Sequence, residues 1–87
     1  MKAYLCTIMP SYHCVRDAWR EEVRAGVNEW MRAGAGGMAE VIDLDAAVRD
    51  PADSMRFVPE YDSGDNLHPS LAGSKRMAEV IYGALMR

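Results

Sequence analysis

The hydrophobic pattern changes period along the chain, and each change marks an element. Residues 3–9, Ala-Tyr-Leu-Cys-Thr-Ile-Met, form an apolar run without polar alternation. Such a run suits a strand covered on both faces, as in a parallel sheet. Pro10-Ser11 ends it. From 14 to 33 the apolar positions Val15, Trp19, Val23, Val27, Trp30 and Met31 recur three or four apart. Arg16, Asp17, Arg20, Glu21, Glu22, Arg24, Glu29 and Arg32 fill the remaining arc. This is an amphipathic helix with its Trp and Val residues in the core, stopped by Gly34, Gly36 and Gly37. Residues 38–45 then read as a short strand centred on Val41-Ile42. The final helix spans 70–86. Leu71, Met77, Val80, Ile81, Ala84 and Leu85 form its apolar stripe, with Lys75, Arg76 and Glu79 in water.

Between the second strand and the last helix, 46–60 reads as a connector. Arg49-Asp50-Pro51-Ala52-Asp53-Ser54 carries its turn chemistry, and Met55, Phe57 and Val58 tack it to the body. Strand, helix and strand in that order make a βαβ unit with parallel strands and a right-handed crossover. Ligand crevices in such sheets lie beyond the carboxyl ends of the strands. There Asp43 and Asp45 fall on one face, because side chains alternate. Two readings stand: a carboxylate pair that binds a cation or poises a base, or a strand end with one Asp capping the turn at Ala46-Ala47.

The stretch Tyr61-Asp62-Ser63-Gly64-Asp65-Asn66-Leu67-His68-Pro69-Ser70 has the composition of a turn and carries the chemistry. At this i, i+3 spacing the Asp65 carboxylate reaches the His68 imidazole. Accepting from Nδ1–H fixes the tautomer and leaves Nε2 free to take a proton. Pro69 and Ser70 start the last helix, so the imidazole sits at the mouth of that element.

Size and charge narrow the rest. The 87 residues, 49% hydrophobic, make one small domain, residues 1–87. A chain this short buries only roughly 60–65% of its unfolded surface, so its stability alone is marginal. The net charge of −3 offers no basic stripe for phosphates, which argues against a nucleic-acid partner. No apolar run approaches the ~20 residues of a membrane span, and the start shows no signal-peptide pattern. Nothing assigns a compartment beyond a cytoplasmic default. Cys6 and Cys14 have no paired spacing and read as free thiols. A metal set of Cys6, His13, Cys14 and His68 lacks zinc-ligand spacing, so neither a metal nor another cofactor is expected.

Pro10, Asn28-Glu29-Trp30-Met31-Arg32, the run from Val41 through Pro51, the run from Tyr61 through Pro69 and Ala72-Gly73 together resemble the C-terminal portion of an SGNH (GDSL-type) hydrolase. The resemblance covers nearly all of the chain, and its specific part is Asp65-x-x-His68 in the Gly-Asp-Asn-Leu-His-Pro context. It implies a flavodoxin-like α/β/α domain and a Ser-His-Asp triad acting on lipids, acylated sugars or small esters. Asp65 and His68 match the family's catalytic acid and base. The family's Gly-Asp-Ser-Leu-like nucleophile block has no counterpart here, nor do its oxyanion-hole glycine and asparagine blocks. Ser11 and Ser54 are turn residues, Ser63 lies in the motif loop, Ser70 caps a helix and Ser74 lies within it. None follows a strand as a nucleophile elbow.

Two functions follow as expectations. The chain is part of a hydrolase, contributing Asp65 and His68 to a site completed elsewhere and hydrolysing esters poorly by itself. Alternatively, it is a non-catalytic self-assembling module that keeps the loop as structure. A partial sheet leaves the strand at 3–9 with an unpaired edge and strips cover from Trp19 and Trp30. The expected remedy is a two-fold homodimer in which strand 3–9 meets its mate antiparallel, with exchange of the final helix as a variant.

Overall fold

The computed structural model describes residues 2–11 and 18–87. The expected βαβ order is present. Strand β1 (Tyr4–Cys6) pairs in parallel with β2 (Glu40–Ile42), Leu5 opposite Val41, and helix α1 (Ala18–Arg32) lies between them in sequence. One backbone bond extends the ladder at each end, Glu40 N–H to Ala3 O at 2.9 Å and Thr7 N–H to Ile42 O at 3.0 Å. The described residues thus form a small mixed helix and strand domain with a two-stranded parallel sheet, an arrangement compatible with the expected α/β class.

Both strands are shorter than the apolar runs suggest, for a local reason in each case. Beyond Thr7 the chain bonds to a side chain instead of a strand. Asn28 accepts from Ile8 N–H at 2.7 Å and donates Nδ2–H to Ile8 O at 2.8 Å, an amide clamp from the middle of α1. Beyond Ile42, Asp43 leaves the sheet to cap a new helix, α2 (Leu44–Val48), by accepting from Ala46 N–H at 3.1 Å.

The connector expected over 46–60 is structured. After α2, β3 (Arg49–Asp50) and β4 (Asp53–Phe57) form a small antiparallel hairpin whose register slips between Arg49 and Asp50. Carboxylates build its turn: Asp50 accepts from Ala52 N–H at 2.9 Å and Asp53 from Met55 N–H at 3.1 Å. Phe57 at the end of β4 and Val48 just before β3 are both buried, so Phe57 does anchor the segment.

Helix α3 (Leu71–Leu85) covers the apolar centre. Ile42, Leu44 and Ala84 are buried together, flanked by Tyr4, Met9, Met77, Val80 and Ile81. Leu71 and Leu85, expected in that stripe, are exposed at the helix ends.

Helix α1 corrects the pattern reading most. Its inward face carries Arg24, Asn28 and Met31, all buried, whereas Trp19, Val23 and Trp30 lie on the outside. Amphipathicity located the helix and Met31 is buried as expected, with Val27 half-buried, but Trp19, Val23 and Trp30 do not lie in the core. The reason is polar: the inner face meets the backbone of Ile8 and Ser54 and the carboxylate of Asp45, which guanidinium and amide groups satisfy and Val cannot. Val15, Arg16 and Asp17 of the expected helix, with His13 and Cys14, lie outside the described residues.

Candidate functional site

The loop over residues 61–70 is held by its own carboxylates. Asp62 Oδ1 accepts from Gly64 N–H at 2.8 Å and Asn66 N–H at 3.1 Å. Gly64 (φ 115°) and Asn66 (φ 58°) take the left-handed backbone such a turn needs, the residue types that adopt it most readily. Its ends are tied together by a bridge between Asp62 and Pro69 and by Ser63 N–H to His68 O at 3.1 Å. Sequence reasoning passed over Asp62, although an Asp two residues before Gly is a turn signal.

Within this frame Asp65 meets His68 as the spacing predicts. Asp65 Oδ2 lies 2.6 Å from His68 Nδ1. The other oxygen, Oδ1, accepts from His68 N–H at 2.8 Å, Leu67 N–H at 2.9 Å and the Ser63 hydroxyl at 3.0 Å. Both oxygens are therefore committed. The imidazole contact, then the backbone N–H groups of His68 and Leu67, hold the Asp65 carboxyl well below the usual carboxylate range. An ionised Asp65 accepts Nδ1–H and turns the Nε2 lone pair outward. The His68 side chain is 70% exposed, and Nε2 has no hydrogen-bond partner among the described residues.

Among the described residues no serine hydroxyl is hydrogen-bonded to the His68 imidazole: Ser63 donates to Asp65 at 3.0 Å and Ser70 to Glu60 O at 2.6 Å. A hollow of about 270 Å³ flanks the loop, but it is lined by Asp50, Arg56, Phe57, Asp62, Gly64 and Asn66 and not by the dyad. The base faces open solvent.

The loop is seated on α3 through Gly73, whose part sequence reasoning also missed. Ser70 caps the helix by accepting from Gly73 N–H at 3.1 Å, while its own N–H donates to Tyr61 O at 2.8 Å. A Cβ on Gly73 would stand 2.6 Å from that same Tyr61 oxygen and 3.1 Å from Pro69 Cβ. Alanine inside a helix normally stabilises by up to ~1 kcal/mol relative to glycine. Gly73→Ala is expected to reverse the sign and cost about 1–3 kcal/mol by overpacking. Gly83, where an added Cβ meets nothing within 4 Å, serves as the control. Urea unfolding should move the two alanine variants in opposite directions.

Asp43 and Asp45 do not form the strand-end pair that alternation places on one face. Asp43 belongs to the α2 cap. It also accepts from Thr7 Oγ1 at 2.9 Å and from Arg32 Nε at 2.8 Å. Asp45, 1% exposed, accepts from Arg24 at 2.6 Å, Arg32 at 2.9 Å and Arg49 at 2.8 Å. Carboxylates so neutralised are not poised as a base or a cation site, so the capping reading holds for Asp43. Among the described residues no group of three His, Cys, Asp or Glu stands together for a metal, and His13 and Cys14 lie outside them.

The Arg32 guanidinium, helped by Ala46 N–H and the Thr7 hydroxyl, lowers the Asp43 carboxyl to about 2. A folded-state value below the ordinary one stabilises the fold above the ordinary value. That contribution fades as pH falls from about 4 towards about 2. Asp65, held below the ordinary range chiefly by the His68 imidazole, adds a second contribution that is lost as pH falls below the ordinary carboxylate value. Asp43→Asn is therefore expected to shrink, but not abolish, the drop in urea midpoint between neutral and acidic pH.

No family model matches the chain, and no curated protein matches it at a significant level. Among the described residues no helix is long and apolar enough to cross a membrane.

Proposed function

We propose that this chain supplies the general base and its orienting acid, His68 and Asp65, to an ester hydrolase centre of the SGNH (GDSL-type) kind. The serine nucleophile and oxyanion donors would come from a segment other than these 87 residues, and the completed domain would be flavodoxin-like. The observation that carries this reading is the dyad: Asp65 Oδ2 at 2.6 Å from Nδ1 and Nε2 turned to solvent. A loop stiffened only for its own sake needs no exposed imidazole, since Asp62 already ties its backbone.

In the completed centre Nε2 takes the serine proton as the hydroxyl attacks the ester carbonyl. The resulting imidazolium, stabilised by Asp65, then protonates the leaving alcohol. Without oxyanion donors the largest single stabilising contribution is missing, so the chain alone should be nearly inert. The test is hydrolysis of a nitrophenyl ester by the chain alone and by the chain joined to a nucleophile-bearing SGNH segment. Turnover should appear only in the joined form. Turnover by the chain alone that His68→Ala abolishes would mean that one of its own serines is the nucleophile.

A further inference from the structure

The outward stripe of α1 takes no part in the dyad or the core, and its pattern is regular. Trp19, Val23, Gly26 and Trp30 stand at i, i+4, i+7 and i+11, within an arc of about 60° at ~100° per residue. That is the spacing of a seam between paired helices. The three large side chains are 59%, 56% and 47% exposed. Met38, 71% exposed, extends the patch beyond the helix, since an atom added to Gly36 would touch both Met38 and Trp30. With a whole Trp presenting ~250 Å², the patch offers roughly 500 Å² of apolar surface, near the upper end for soluble monomers. The charged flanks of α1 bring it towards the ~800 Å² per partner of a standard interface.

We propose that this stripe is the seat of a second copy of the chain, the two α1 helices meeting antiparallel across a two-fold axis. The stripe is complementary to its own reverse. Antiparallel pairing sets Trp19 against Trp30 of the second copy at both ends and Val23 against Gly26 in the middle. A branched side chain thus rests on bare backbone where the helices come closest. Parallel pairing would set Gly26 on Gly26 and leave a gap. The glycine itself points the same way. In mid-helix it weakens α1, and within the protomer an added Cβ would meet nothing within 4 Å. A closely approaching helix gives it a reason.

This moves the expected two-fold contact. Sequence reasoning placed it on strand 3–9, but β1 offers three residues, an edge too short to hold two copies by itself. The proposal does not rest on the hydrolase reading, which depends on Asp65 and His68.

Sedimentation equilibrium across the micromolar range, with tryptophan emission recorded on the same samples, tests it. Both tryptophans of the chain lie in the seam, so emission reports this face alone. The wild-type chain should sediment at twice its 9.7 kDa mass, with emission shifting to the blue as concentration rises. Val23→Glu and Gly26→Leu should both be monomeric with a dissociation constant weakened at least tenfold. Gly26→Leu also guards against simple unfolding, because its free space and better helix propensity should raise the helical content of the monomer. A wild-type monomer at ~100 µM, far above a micromolar constant, would overturn the proposal. So would a dimer that survives Gly26→Leu with its blue shift intact.

Discussion

Replacing Asp45 with alanine is expected to bring the domain to the edge of unfolding at neutral pH. The carboxylate is 1% exposed and is the common partner of Arg24, Arg32 and Arg49. Arg32 and Arg49 are about one-third exposed and can turn to water when it is lost. Arg24 cannot, at 6% side-chain exposure. It retains Glu21 and the carbonyl oxygens of Ile8 and Ser54, but its charge then lies in a site built for two carboxylates. Breaking a buried pair from one side costs about 3–5 kcal/mol. A domain of this size holds about 4–13 kcal/mol at ~0.05–0.15 kcal/mol per residue. Loss of Asp45 therefore removes a large part of the total. The physical cause is checked by the double variant Arg24→Met with Asp45→Leu, which removes both charges and should recover part of the loss in urea unfolding. A double variant as unstable as the two single losses added together would mean that the charges act independently.

The second large effect is catalytic and rests on the proposed completed centre. There His68→Ala should lower kcat on the order of 10⁶-fold, because the serine loses the group that takes its proton. Asp65→Asn is the more informative change. An asparagine Oδ1 still accepts from Ser63, Leu67 and His68, so the loop keeps its frame. Its amide, however, presents a donor to Nδ1 and forces the proton onto Nε2, the wrong tautomer for a base. A loss on the order of 10⁴-fold in kcat is expected, with KM little changed. An Asp65→Asn enzyme with full kcat would show that the acid has no part in setting the tautomer.

What could be read from the residues followed how local each cause was. The dyad was legible because Asp65 and His68 lie three positions apart in a turn whose Gly64 and Asn66 readily take the left-handed backbone that a tight turn needs. The α1 stop at Gly34 and the α3 cap at Ser70 were legible for the same reason. The faces of α1 were not. Periodicity shows that Trp19, Val23 and Trp30 share a stripe, but not whether the stripe faces in. The decision came from Asp45 and from the Ile8 backbone, which attract Arg24 and Asn28 from 21 and 20 positions away. The β3–β4 hairpin escaped notice because its strands have two and five residues and its turn residues also suit an irregular loop. Gly73 needed a distance to the Tyr61 carbonyl that no one-dimensional pattern contains.

Nitrogen-15 NMR of the His68 imidazole reads out whether Asp65 preassembles the base with Nε2 free. In the neutral ring a proton is expected on Nδ1, shifted downfield by its 2.6 Å partner, with Nε2 unprotonated. Asp65→Asn should transfer that proton to Nε2 while the backbone signals of Leu67 and Asn66 stay in place. A neutral ring protonated on Nε2 in the wild-type chain, or one indifferent to Asp65→Asn, would mean that Asp65 does not set the tautomer of His68.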